Sequence, residues 1–545
     1  MSETERAAGT TTELLPERSS FCPDEDVRVE LRTAPGTAGG RLTLWHLGEA
    51  AGSWEDIGCG RHSLGTLAPG GYGVEWTDGT SVVRTAVEVT GDTRARLRYG
   101  FAVDYGPGRD PHGLSDTVRR LHLTDVQFYD WAYRHAELLG GGEEYDDALG
   151  QPVALDTVRR LACAVRDAGA RALGYAAVYA VGPREWDRWK DWALVDATGE
   201  PYALGDFLFI LDPSAPPWLS HFREELAAAV TTIGFDGFHL DQYGYPKHAR
   251  RADGRSVDVA RSFDALITGV RDRLPDSHLV FNNVNDFPTW TTGSSPQDAV
   301  YVEVWDPHVT LGSLAAVATR ARTAGGGKPV AVAAYQHVYY SAPAQAADQA
   351  TALTMATLFS HGATQLLAGE ADRILVDPYY VRNHVVEEST ADLLRRWYDF
   401  MVEHDELLFD GRIVDVTGSY AGPYNDDIDV SYSTTCVTGE PVAGSVWRRV
   451  TLTPRGLVVH LINLAGQPDT LWDGAKRQPP DIGAGSLRIR SLAGSVPRVR
   501  VADPDRSPRL VDVPVEDGET HVSVALPPPG TWQLVLIELD PNGTA

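Results

Sequence analysis

Gly237-Phe-His-Leu-Asp241 is a mostly apolar run that ends in a carboxylate and breaks at once into Gln242-Tyr-Gly244. A run of that length bounded by turn residues reads as a strand covered on both faces, the kind found in parallel sheets. Similar runs recur at Leu97 to Tyr105, Val126 to Trp131, Ala172 to Tyr179, Leu279 to Asn285, Ala299 to Trp305, Pro329 to Tyr335 and Ala363 to Gly369. Between them lie stretches with apolar spacing of three and four, such as Leu155 to Arg166 and His221 to Val230. Strand and helix in alternation make βα units, and eight of them predict a closed (β/α)8 TIM barrel.

Outward from the barrel the texture changes. The 545 residues are too many for one core. Residues 19–95 carry short alternating stretches, among them Val27 to Arg32 and Ser81 to Val89, broken by Gly- and Pro-rich turns. Period-two alternation of that kind predicts a β-sandwich. Strand-like runs return after a last helix at Thr390 to Glu403, in Val458 to Asn463 and Trp532 to Glu538, and predict a C-terminal antiparallel β domain. The expected layout is multidomain: a polar, disordered segment 1–18, a sandwich 19–95, a barrel 96–410 and a β-sandwich domain 411–545.

A net charge of -27 argues against nucleic acid or an anionic membrane as partner, since both are held by dense Lys and Arg. No apolar stretch reaches the roughly 18 residues of a membrane span. The polar start, Met1 to Thr12, lacks the basic and apolar segments of a secretory leader, so a cytoplasmic location is expected. Cys22, Cys59, Cys163 and Cys436 form no close-spaced metal pair, and free buried thiols are expected. Acidic clusters at Glu143 to Asp147 and Asp426 to Asp429 lack the oxygen spacing of a calcium loop, so no metal or cofactor is expected. Oligomeric state leaves no trace in the sequence.

Two carboxylates stand at the chemical end of the barrel. Counting strands from Leu97, Asp241 closes the fourth and Glu303 the sixth, and strand ends in such a barrel converge on one pocket. A strand-end carboxylate by itself is more often a cap or an ion-pair partner than a catalyst. Two converging carboxyls, one ionised and one protonated, are what glycoside hydrolysis needs. His239 and Gln242 stand beside Asp241 as hydrogen-bond partners for its anion, while Val302, Val304 and Trp305 surround Glu303 with apolar bulk that favours the neutral acid.

Other strand ends carry sugar-binding types. Tyr129, Asp130 and Trp131 follow strand two, Tyr175 and Tyr179 lie on strand three, Asn282, Asn283 and Asn285 on strand five, and Tyr335 and Gln336 on strand seven. Aromatic faces stack on pyranose rings and amides hold hydroxyls, so an oligosaccharide or polysaccharide is the expected partner. The competing reading of each aromatic is a plug in the barrel mouth.

These residues resemble glycoside hydrolase family 66, the dextranases and cycloisomaltooligosaccharide glucanotransferases. The likeness rests on Phe128-Tyr-Asp-Trp-Ala-Tyr-Arg-His135, Phe235-Asp-Gly-Phe-His-Leu-Asp241, Phe281-Asn-Asn-Val-Asn285, Glu303-Val-Trp305, Val332 to Tyr335, Gly369-Glu370 and Trp397 to Phe400. It implies an immunoglobulin-like N-terminal sandwich, Asp241 as nucleophile, Glu303 as acid/base, and His135, Gln365 and Glu370 among the substrate-binding residues. The expected function is retaining hydrolysis of α-1,6-linked glucan or isomaltooligosaccharides, with glucanotransfer or a non-catalytic carbohydrate-binding barrel as alternatives. Departures from the family pattern at Leu240-Asp241-Gln242, after His135, and at Gln365 to Ala368 bear on the donor subsite.

Overall fold

A computed structural model describes residues 12–422, 424–490 and 496–538. Its centre is one sheet of eight parallel strands: β1 (Tyr99–Ala102), β2 (Asp125–Phe128), β3 (Arg171–Ala177), β4 (Gly237–Asp241), β5 (His278–Asn282), β6 (Ala299–Glu303), β7 (Val330–Ala333) and β8 (Ala363–Gln365). Each strand pairs with its neighbour in chain order, which is the (β/α)8 barrel. The seam between β8 and β1 has no backbone ladder. It is held by the Thr364 hydroxyl on the Leu97 carbonyl, at 2.5 Å, and the Glu370 N–H on that of Phe101, at 2.8 Å.

Helices α1 (His112–Arg120), α2 (Leu155–Asp167), α3 (Pro216–Ile233), α4 (Val259–Arg273), α5 (Leu311–Gly325), α6 (Ala344–Ser360) and α7 (Glu388–Glu403) form the outer ring. Their ends follow from local chemistry. Thr310 and Ser313 form a reciprocal capping box that starts α5, and Gly326 stops it in the left-handed region at φ 61°. Only the four-residue helix Thr289–Thr292 lies between β5 and β6, so that part of the rim is walled by short turns.

Strand parity divides the core in two. Residues 173, 175, 239, 280, 301, 331 and 333 turn into the barrel, while Val126, Phe238, Leu240, Phe281, Val300, Val302, Val330 and Val332 turn out to the helices. Six of the eight strands stop two or three residues before their apolar runs end, β8 stops four before, and β4 ends with its run at Asp241. Past the last ladder bond the chain bends, and Asp130, Asn285, Asp286 and Glu370 take left-handed φ values of 47°, 54°, 67° and 48° on the rim.

The N-terminal region is a sandwich of a three-stranded sheet (Glu13–Pro16, Val27–Arg32, Gly60–Gly65) and a four-stranded one (Glu49–Ile57, Gly40–His46, Gly70–Thr77, Val82–Val89). The expectation of disorder through residue 18 is corrected here. Glu13–Pro16 pairs antiparallel with Val27–Arg32, because Leu14 and Leu15 are wholly buried and complete that sheet; residues 1–11 lie outside the described residues. The sandwich docks on α7 so closely that a Cβ on Gly71 would meet the Val402 carbonyl at 2.0 Å. Beside it, Arg84 pairs with Glu403 at 2.8 Å. The C-terminal region stacks a sheet led by Val446–Thr453, Gly456–Asn463 and Trp532–Glu538 on a smaller one led by Ile428–Ser431, Gly485–Arg490 and His521–Leu526. All four cysteines are free, but Cys59, Cys163 and Cys436 are exposed and Cys22 half-buried, so the expectation of buried thiols fails. Cys163 sits on the exposed face of α2, and the other three lie between strands.

Candidate active site

Asp241 and Glu303 are the last residues of β4 and β6 and share the inward parity, with β5 between them. Asn282, the last residue of β5, fills the gap. Its Nδ2 donates to Asp241 Oδ1 at 2.7 Å and to Glu303 Oε2 at 2.9 Å. Oxygens held at those distances from one nitrogen lie closer together than the about 6.5 Å at which inverting glycosidases begin. On the far side of each carboxylate a tyrosine donates: Tyr175 to Asp241 Oδ2 at 2.7 Å, and Tyr335 to Glu303 Oε1 at 3.0 Å. The array runs Tyr175, Asp241, Asn282, Glu303, Tyr335, one residue from each of five consecutive strands or strand ends.

The two acids differ in charge preference. Burial lifts Asp241 above the ordinary Asp value, and hydrogen bonds from Tyr175, Asn282 and the Gln242 backbone hold that rise back. Glu303 is pushed up to about 7, first by burial and then by the negative charge of Asp241. Because each proton is felt by the other carboxyl, the pair titrates in two joint steps. At neutral pH the favoured state is one proton shared unequally, with the anion on Asp241. A third acid stands near them: Asp130 is pushed up to about 8 by burial, then by Asp147 and Asp241. Among the described residues no Lys or Arg offsets the upward shifts of Asp241, Glu303 or Asp130.

Aromatic rings line the hollow around these acids. Tyr129 stacks on Tyr380 at 4.2 Å and leans on Tyr175 at 5.1 Å, and half-exposed Trp305 stands 5.8 Å from Tyr335. Beneath them His239 accepts or donates to the Tyr99 hydroxyl at 3.0 Å and is pushed down to about 3 by burial, so it is neutral. Its place is the floor of the site rather than the side of Asp241.

Other expected site residues are turned away, and for Gln242, Asn283, Gln336 and Gln365 strand parity is the reason. Gln242 faces outward, where its amide donates to the carbonyls of Asn282 and Phe287, both at 3.1 Å. It ties β4 to the next loop and does not touch the Asp241 carboxylate with its side chain. Asn283 is wholly buried and donates to the Tyr301 carbonyl at 2.9 Å. Gln336 lies under α6 against Thr351 and Thr354, and Gln365 donates to the Ala334 carbonyl at 2.8 Å. Trp131 is wholly buried, with its indole N–H on the Tyr175 carbonyl at 3.1 Å and its ring against Phe235. Tyr179 is a loop strut, donating to the Tyr245 carbonyl and accepting from the Tyr243 N–H, both at 2.9 Å. Glu370 is consumed by an ion pair with Arg109 and by the N–H groups of Val103 and Asp104, so it buttresses the rim. His135 is half-buried, is pushed down to about 4 by burial and Arg134, and bonds neither catalytic-type carboxylate.

Tyr243 and Tyr380 were absent from the sequence reading. Tyr243 follows β4 and is raised by burial and by the charge of Asp241; its place two residues after that carboxylate is a signal that was present. Tyr380 sits in a single 3-10 turn, 253 residues from its Gln127 partner, and no local pattern marks it.

Comparison with known proteins identifies the family and the fold. The sequence profile described as glycosyl hydrolase family 66 matches residues 67–536. A cycloisomaltooligosaccharide glucanotransferase of Niallia circulans is 24% identical over 375 residues, covering 61% of this chain and 38% of that protein. A dextranase of Streptococcus salivarius is 23% identical over 411 residues, covering 64% of this chain and 49% of that one. The chain thus spans less than half the length of these relatives. Among solved structures, a Paenibacillus cycloisomaltooligosaccharide glucanotransferase complexed with cycloisomaltoheptaose superposes with a TM-score of 0.86 at 16% identity, over 96% of this chain and 100% of that one. With the profile running from the last two strands of the sandwich through the barrel to the last C-terminal strand, the chain belongs to glycosyl hydrolase family 66.

Proposed function

We propose that this protein is a retaining glycoside hydrolase acting on α-1,6-linked glucan or isomaltooligosaccharides, with Asp241 as nucleophile and Glu303 as acid/base. The observation that carries the reading is the single Asn282 nitrogen shared by the two carboxylates. That spacing suits direct attack by one carboxylate on the anomeric carbon and leaves no room for a water between carboxylate and sugar.

In the first half, Asp241 Oδ attacks the anomeric carbon as the glycosidic C–O bond breaks, and protonated Glu303 gives its proton to the departing oxygen. Loss of that proton leaves Glu303 anionic next to a now-esterified, neutral Asp241. The charge that had raised Glu303 is gone, so its affinity for a proton falls toward that of an ordinary carboxylate. In the second half Glu303 takes a proton from water, the hydroxide attacks the same carbon from the opposite face, and the ester bond to Asp241 breaks. Two inversions retain configuration. Substrate preference for neutral sugars follows from the Tyr129, Tyr175, Tyr335, Tyr380 and Trp305 rings and from the lack of basic side chains at the acids.

Glucanotransfer is a second reading, favoured by the names of two of the relatives. Against it stands the rim, whose connection from β3 to α3 holds, between residues 180 and 210, two- and three-residue strands, the four-residue helix Trp186–Trp189 and a 3-10 turn at Lys190–Trp192, with no domain-sized insertion. The test is incubation with isomaltooligosaccharides under NMR, following the anomer first released. An α-product that then mutarotates supports retention. A β-product, or no cleavage of any α-1,6-linked oligomer, sinks the proposal, and products longer than the substrate move it to transfer. Asp241→Asn should lower kcat by several orders of magnitude in a folded protein.

A further inference from the structure

An open cleft of about 1430 Å³ lies between the C-terminal β-sandwich and α5, away from the barrel mouth. Arg448 lines it. On its strand Arg448 shares parity with Val446 and Val450, whose side chains fill the sandwich core, so the guanidinium projects between the two sheets toward the edge strand Ile428–Ser431. It is 9% exposed, its Nε is buried without a partner, and no carboxylate of the described residues lies within ion-pair distance of it. The charge facing it is Asp429, which pairs with Arg488 at 3.7 Å. The Tyr432 hydroxyl, in the same cleft, is also buried without a partner. A guanidinium with no carboxylate partner and a hydroxyl with no partner in the chain, both on one cleft, leave hydrogen-bonding capacity for a molecule that enters it.

The lining states what kind of molecule answers. The lining acids Asp415, Asp426 and Asp429 and the lining bases Arg320 and Arg449 are each paired within the chain, so the cleft offers neither an anion nor a cation a strong net charge. A neutral ligand with many hydroxyls suits such a lining, since each hydroxyl donates and accepts. The volume exceeds the roughly 300 to 1,000 Å³ of a small-molecule pocket, so a chain of sugar rings fits better than one. We infer that this cleft is a second glycan-holding site keyed by Arg448 and Tyr432, separate from the catalytic hollow. The identity of the glycan as an isomaltooligosaccharide rests on the function proposed above. The cleft begins at Gly312, in the first turn of the helix that follows Glu303 in the chain.

The experiment is calorimetric titration of the full chain carrying Asp241→Asn with isomaltoheptaose. Two classes of site are expected. Adding Arg448→Met should remove one class and leave the other unchanged, and Tyr432→Phe should weaken that same class about tenfold. Melting of the Arg448→Met protein should be unchanged or higher, since an unpaired buried charge is removed; if that variant fails to fold, Tyr432→Phe decides alone. One class of site with the same affinity in every variant overturns the second site while leaving the proposed function standing. Binding at neither site overturns both. Binding of inorganic phosphate that Arg448→Met abolishes, with isomaltoheptaose unable to compete, overturns the glycan assignment in favour of an anion site.

Discussion

Asp241 and Glu303 are joined through one amide nitrogen, at 2.7 and 2.9 Å, so neither carboxyl can change its charge without the other responding. The consequences are measurable in pH profiles, in stability and in the behaviour of the flanking tyrosines.

The profile of kcat/KM should be bell-shaped. In the proposed mechanism Glu303 must hold its proton to act as acid, so activity should fall as pH rises through about 7, the value to which burial and Asp241 lift it. On the other limb Asp241 must be ionised, and its upward shift puts the acid-side fall above the ordinary Asp value of 3.8. In Asp241→Asn, carbon NMR of the Glu303 carboxyl should report a lower pKa than in the wild type, because a raising charge has gone. An unchanged Glu303 titration would show that the two acids are not in electrical contact.

Glu303→Gln should raise thermal stability at neutral pH. A group whose folded pKa is raised contributes stability below its unfolded pKa and loses it as pH climbs through the folded value. For Glu303 that window runs from about 4.5 to about 7. The neutral amide escapes the loss. With partial solvent screening, a gain on the order of 1 kcal/mol is expected at pH 8, shrinking toward nothing at pH 4. Melting curves at the two pH values check it, and a gain that grows on acidification would contradict the shift.

Tyr175→Phe removes a donor from the Asp241 anion. A hydrogen bond to a charged group is worth about 1.5 to 3 kcal/mol, so kcat should fall roughly ten- to a hundredfold and the acid limb should move to higher pH. A change in KM alone, with the acid limb unmoved, would place Tyr175 among substrate contacts only.

Glu370→Ala separates scaffold from subsite. Its carboxylate neutralises Arg109 and receives two backbone N–H groups, and breaking a buried ion pair by removing one partner costs about 3 to 5 kcal/mol. Chemical denaturation should register that loss. Full stability with a large rise in KM would return Glu370 to the substrate-binding set.

Trp305→Ala should do the reverse. The ring is 40% exposed on the rim beside Tyr335, so removing it takes little from the core. A rise in KM of about tenfold with an unshifted melting temperature is expected if the ring stacks on a sugar. Loss of stability with KM unchanged would make it a plug.

The barrel was readable because its signals are local. Each apolar run from Leu97 to Gly369 contains one observed barrel strand, and Asp241 and Glu303 end theirs. The site residues were readable only as positions along strands. Gln242, Asn283, Gln336 and Gln365 look like sugar ligands by type and by place, yet period-two alternation turns them outward to bind backbone carbonyls or helix hydroxyls. Strand parity was open to use in the sequence. Which parity faced inward at each strand end depended on where the ladder stopped, and left-handed turns at Asp130 and Asn285 end that alternation.

Sequence alone determined that strands and helices alternate eight times, that sheets flank them, and that two acids sit on one rim, since periodicity and order are properties of neighbouring residues. Tertiary structure decided the rest: that Asn282 bridges the acids, that Tyr380 closes the aromatic wall, that Glu370 is spent on Arg109, and that Arg448 faces an open cleft unpaired. Distance, desolvation and charge act through space, between residues that the chain keeps up to 261 positions apart, and nothing in their immediate neighbours records them.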